Sequence, residues 1–90
     1  MQNDPNEDEE LLRTVAYQSA WIKANIAVEL SLLEAVRIDG EGREAAKEKA
    51  ARTVESVHRR LRLIEDRLKI ADREMIQTRL AELESALMTI

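Results

Sequence analysis

The sequence predicts an all-α protein: an antiparallel helical hairpin with coiled-coil-like packing that assembles into a helical-bundle oligomer. Charged residues make up 36% of the 90 residues, and the chain has one Pro, two Gly and no Phe or Cys. Such a composition is typical of long helices and leaves little from which strands are built. Apolar residues also recur at helical spacing in both halves. A single domain of this length buries a thin core, so oligomerisation is expected.

Few helix-breaking residues interrupt the chain. Asp4 and Pro5 are typical of a helix start, and Glu7 completes a capping box. Gly40 and Gly42 predict a turn that reverses the chain. The predicted segments of the single domain 1–90 are a first helix at about 5–38, a turn at 39–42, a second helix at about 43–71 that continues or breaks near 72, and a C-terminal helical segment at about 73–89.

The second predicted helix carries a heptad seam that shifts by one residue after Met75. Such an offset indicates either local unwinding of a continuous helix or a break with Asp72 as a new N-cap. Continuity is favoured, because residues 71–74 contain neither Gly nor Pro; the alternative is a third helix. The seam comprises Ala50, Val54, Val57, Leu61, Ile64, Leu68, Ala71 and Met75, and resumes as Ile76, Leu80, Leu83, Leu87 and Ile90.

The first predicted helix is apolar on two faces, only one of which a hairpin can cover. Its inner seam includes Leu12, Val15, Ile22, Ile26 and Leu33, with Leu12 expected opposite Ala71. A helix that is apolar on most of its circumference is expected to be buried on most of it. The C-terminal tail would overhang the hairpin, so it is also expected to meet a partner. The predicted interface residues are Tyr17, Trp21, Val28, Leu32, Leu80, Leu83, Leu87 and Ile90.

Charges along the second helix favour a parallel relation between neighbouring protomers. With the heptad seam at positions a and d, Arg60 and Arg67 occupy g positions, and Glu65 and Asp72 occupy e positions. Two parallel copies would place opposite charges across the seam, whereas antiparallel copies would oppose like charges.

Basic residues of the second helix suggest an alternative role in nucleic-acid binding. The candidate phosphate contacts are Arg52, Arg59, Arg60 and Arg62. The net charge of −4 opposes this role, and Glu55 and Arg59 are spaced to pair with each other along one helix. The only aromatic residues, Tyr17 and Trp21, lie on the apolar first helix, so base stacking has no platform beside the arginines.

The motif Glu55-x-x-His58 is a further candidate site. It resembles one component of the ferritin-like di-iron site, in which helices supply Glu and Glu-x-x-His ligands. Glu29 or Glu34 would then be the carboxylate from the first helix. His58, however, flanks the seam and Glu55 points outward, so a solvated pair is the preferred interpretation and no metal is assigned. Glu29 occupies a seam position, where a buried polar group sets register or oligomer state.

The sequence therefore predicts a small non-enzymatic interaction protein, acting as a scaffold, adaptor or regulator, that self-associates and binds a protein partner. The chain has no Cys and no Ser-His-Asp spacing, and no cofactor is predicted. A membrane-spanning helix is not expected, because the most apolar window, residues 20–38, contains Lys23, Glu29, Glu34 and Arg37. The expected location is the cytoplasm.

Overall fold

Three helices account for nearly all of the described chain. The computed structural model describes the backbone of residues 5–90 and the side chains of residues 14–90. The helices are α1 (Pro5–Asp39), α2 (Arg43–Ile64) and α3 (Ile70–Thr89), and a short 3-10 helix, Glu65–Arg67, follows α2. No strand occurs within the described residues. The all-helical prediction is confirmed.

The turn between α1 and α2 depends on two glycines. Gly40 and Gly42 have φ angles of 80° and 73°, a left-handed conformation that other residues rarely adopt. The amide of Gly40 donates a hydrogen bond to the carbonyl oxygen of Val36 and so closes the end of α1. Asp4, the predicted N-cap of α1, and the side chains of Glu7 and Leu12 lie outside the described residues.

The side-chain contacts establish how the helices run. Glu29 of α1 lies near Lys49 of α2 close to the turn, and Gln18 contacts Arg60 farther from it, so α1 and α2 run in opposite directions. The start of α3 contacts Lys23 through Asp72. A cleft between the C-terminal halves of α1 and α3 shows that these two helices run in the same direction.

All three helices contribute to one core. The long α1 packs against both shorter helices, and α3 also packs against α2. Because α1 has 35 residues, it is about 52 Å long. The buried hydrophobic residues are Ile22, Ile26 and Leu33 of α1, Ala50, Val57, Leu61 and Ile64 of α2, Leu68 of the connection, and Ile76, Leu80 and Leu83 of α3.

The break between α2 and α3 differs from the favoured continuous helix. α2 ends at Ile64, before the predicted break near residue 72, and Lys69, with extended backbone, is the N-cap of α3. Asp72 does not act as the N-cap; it pairs with Lys23 at 3.1 Å. The break also explains the one-residue phase shift of the seam: Met75 is exposed, whereas Ile76 is buried.

An interaction across the break stabilises it. The guanidinium of Arg73, on the first turn of α3, donates a hydrogen bond from Nη2 to the carbonyl oxygen of Glu65 at 2.7 Å. Carbonyl groups at a helix C-terminus lack intrahelical partners, and a cation is favourable beside them. Leu68, in the connection between α2 and α3, is also buried in the core, which holds the connection against the rest of the fold. The break thus forms without Gly or Pro.

We predict that Arg73→Ala lowers the free energy of unfolding by about 1.5 kcal/mol, because a charged, partly buried hydrogen bond to a carbonyl is lost. Urea denaturation followed by circular dichroism measures the change. The matched control is Arg79→Ala on the same helix, which removes only an exposed pair with Glu82 and should cost about 0.5 kcal/mol or less. Equal losses in the two variants would contradict a role for Arg73 at the break.

Candidate interaction surface

One side of α1 is uncharged and mostly apolar; its middle faces away from the other two helices, and its edges border them. We call it the outer strip. Its members recur at steps of three and four residues and none of them carries a charge. The opposite side of α1 holds the buried Ile22, Ile26 and Leu33. The outer strip comprises Tyr17, Ala20, Trp21, Ala24, Val28, Ser31, Leu32 and Ala35.

The larger side chains of the outer strip are open to solvent. Tyr17 is 64% exposed, Val28 51% and Leu32 38%, while Trp21 is half-buried. Single exposed apolar residues are ordinary on a protein surface, but a contiguous apolar patch marks an interaction site. The strip extends over residues 17–35, a rise of about 27 Å along the helix.

Trp21 is held at one edge of the outer strip by α2. The guanidinium carbon of Arg60 lies 3.8 Å from the centroid of the indole ring, a cation–π contact. Arg60 Nη1 also donates a hydrogen bond to Gln18 Oε1 at 2.6 Å. On the same helix, Asn25 Nδ2 donates to the carbonyl oxygen of Trp21 at 2.8 Å. Arg60 therefore positions the largest side chain of the strip.

We predict that Arg60→Gln lowers the free energy of unfolding by about 1 kcal/mol, because the cation–π contact and the charged hydrogen bond are both lost. The fluorescence of Trp21, the only tryptophan, should also change. The control is the neighbouring Arg59→Gln, because Arg59 only donates to the Ser56 hydroxyl on the exposed side of α2. Identical fluorescence in wild type and Arg60→Gln would contradict the contact.

The structure places part of the predicted interface inside the chain's own core. Leu80 and Leu83 are buried, and Leu87 and Ile90 pack against the core in half-buried positions. The tail does not overhang, because the break after α2 allows α3 to fold back onto α1. Leu80 and Leu83 are therefore covered within the chain, whereas Tyr17, Val28 and Leu32 remain available to a partner.

Glu29 is a buried carboxylate within the packed helices. Its side chain is 2% exposed, and Oε1 lies 3.9 Å from Nζ of Lys49, which is itself largely exposed. Within the described part of the chain, Oε2 has no hydrogen-bond partner. Burial of a weakly paired carboxylate costs free energy, so Glu29 destabilises the fold relative to an apolar residue. This burial is compatible with a role in setting helix register.

We predict that Glu29→Leu raises the free energy of unfolding by about 1–2 kcal/mol, because a weakly paired buried carboxylate is replaced by an apolar side chain. Urea denaturation measures the change, and Glu48→Leu, at an exposed position of α2, controls for the helix propensity of leucine. A lower stability of Glu29→Leu than of wild type would instead show that the pair with Lys49 stabilises the fold.

The candidate nucleic-acid residues do not form a continuous basic surface. Arg52, Arg59 and Arg62 are exposed on α2, whereas Arg60 is turned toward Trp21. Arg59 and Arg62 line a shallow depression together with His58 and the acidic Glu55. A phosphate approaching this depression would meet a carboxylate as well as two guanidinium groups. Nucleic-acid binding stays a prediction.

The candidate metal ligands Glu55 and His58 border one depression but are not joined there by a third ligand among the described residues. His58 Nε2 lies 2.7 Å from Glu84 Oε1 of α3 and so joins α2 to α3 on the surface, while Glu55 is exposed. Among the described side chains, no three His, Asp or Glu residues are grouped so that they could hold a metal ion. The sequence did not indicate Glu84 as a partner of His58, because the two residues come together only when α3 folds back onto the other helices.

Two of the charged residues expected to pair between protomers, Arg60 and Asp72, have partners within the chain. Asp72 pairs with Lys23, and Arg60 contacts Trp21 and Gln18. One member of each charge pair expected between parallel protomers is therefore already engaged within the chain, which weakens the preference of these charges for a parallel relation. Near the end of α1, Arg37 pairs with Glu34 at 2.7 Å, and this hydrogen bond is the main cause that raises the pKa of Arg37.

Comparisons with known proteins return no match: no family model, curated protein or solved structure is similar to this chain. None of the described helices is long and apolar enough to cross a membrane. The outer strip is an uncharged surface over residues 17–35 of α1.

Proposed function

We propose that this protein is a non-enzymatic helical interaction protein that self-associates through the outer strip of α1 and serves as a scaffold, adaptor or regulator. The observation that supports the proposal is the exposed, uncharged strip on a helix whose other sides are already packed. Tyr17, Val28 and Leu32 would leave water when a partner covers them.

A second copy of the chain suits this strip chemically. The chain has a net charge of −4, so two copies repel each other in most relative orientations. The outer strip itself contains no charged residue, and the charged group at its edge, Arg60, is already engaged by Trp21 and Gln18, so contact through the strip opposes no like charges. Association through this face also leaves α2 and α3 on the outside, where their charged surfaces stay solvated.

The size of the strip sets the expected affinity. A strip of about 27 Å along a helix roughly 10 Å wide is small beside a standard protein interface. Apolar contact of this extent is typical of weak or transient association. We therefore expect an equilibrium between monomer and oligomer in the micromolar range. We also propose that the helices of the two copies pack against each other as in a coiled coil and so form a helical bundle.

We predict that Val28→Glu weakens self-association at least about tenfold, because a charge would be buried in the apolar contact without a partner. Sedimentation equilibrium or light scattering over a concentration series measures the mass, starting from 10.3 kDa for one chain. The control is Leu63→Glu, which makes the same chemical change at a residue of α2 that is 77% exposed and lies outside the strip.

Two outcomes would contradict the proposal. One is a wild-type protein that stays monomeric throughout the micromolar range. The other is an equal weakening of association by Val28→Glu and Leu63→Glu, which would show that the contact does not involve the strip. Circular dichroism of each variant establishes that the helices are retained.

A further inference from the structure

We infer that the second copy lies antiparallel along α1, with the two-fold axis crossing between Ala24 and Val28. This inference rests on the proposed self-association and adds its orientation. It follows from the order of large and small residues along the outer strip, which an antiparallel pair would bring into matched layers.

In the antiparallel arrangement, every layer joins one larger residue to one small residue. With the axis midway between Ala24 and Val28, each layer contains one residue from each copy. Layers of nearly constant volume fill the space between two helices without voids or overpacking. The layers pair Tyr17 with Ala35, Ala20 with Leu32, Trp21 with Ser31 and Ala24 with Val28, and each pair occurs twice.

A parallel arrangement in register would match the same residues poorly. Trp21 would face Trp21 and Tyr17 would face Tyr17, so these layers would be overfilled. Ala24 and Ala35 would each face themselves, so these layers would be left with voids. Overpacking and cavities both cost free energy. Arg60, one of the charges that favoured parallel copies, is already engaged by Gln18 and Trp21 within the chain.

The antiparallel pair also suits the rest of the fold. Small residues on the strip let two helices approach to the lower end of the usual 8–10 Å separation. α2 and α3 pack on the inner side of α1 and reach only the edges of the strip, where Arg60 of α2 covers one face of Trp21. The turn at Gly40–Gly42 of one copy would lie far from the same turn of the other.

Distances between spin labels test the orientation. The chain has no Cys, so one introduced cysteine carries the only label. Glu41→Cys places it in the exposed turn, and Ala27→Cys places it near the centre of α1, at the edge of the strip. From the helical rise, we predict that the two turn labels lie roughly 40 Å apart in an antiparallel pair and less than about 25 Å apart in a parallel pair. The central labels should be close in both arrangements and serve as the control for association.

The outcomes separate the inference from the proposed function. A long turn-to-turn distance with a short central distance supports the antiparallel pair. Short distances at both positions overturn the orientation but leave self-association standing. A monomeric mass in light scattering, with no dipolar coupling at either position, overturns both.

Discussion

The long helix α1 is apolar around most of its circumference, and the rest of the structure depends on how that surface is covered. The chain supplies two shorter helices, which pack on two sides of α1. They bury Ile22, Ile26 and Leu33 but leave Tyr17, Val28 and Leu32 in solvent. Two helices of these lengths are therefore too few to enclose α1, and the uncovered side is where our proposal places a second copy.

The break between α2 and α3 determines how much of α1 is covered from within. A continuous second helix would have carried Leu80 and Leu83 past the body of the fold and exposed them. Arg73 and the buried Leu68 instead stabilise a reversal that returns α3 to α1. The same reversal brings Glu84 to His58 and Asp72 to Lys23. One short connection thus buries Leu80 and Leu83 of the predicted tail interface and engages Asp72, one of the charges that favoured parallel protomers.

Polar groups within the helices have contrasting effects. Arg60 satisfies Gln18 and stacks on Trp21, so a residue that resembled a phosphate contact instead orders the edge of the outer strip. Glu29 is buried with one weak partner, which costs stability. In the basic run beside His58, Arg59 and Arg62 are exposed, whereas Arg60 contacts residues of α1. Nucleic-acid binding by this run stays a prediction.

The sequence was sufficient for what depends on neighbouring residues: the helical class, the turn at the two glycines, the inner seam of α1 and the uncharged face carrying Trp21. Helix periodicity and glycine conformation are local properties, so these features follow from spacing alone. The reversal at residues 65–69, the burial of Leu80 and Leu83 and the partners of His58 and Arg60 required the tertiary structure. They depend on a guanidinium reaching across a break without Gly or Pro, and on contacts between residues distant in the chain. Which of these contacts form depends on the total apolar area that the whole chain buries on folding, and this quantity cannot be obtained from a short stretch of sequence.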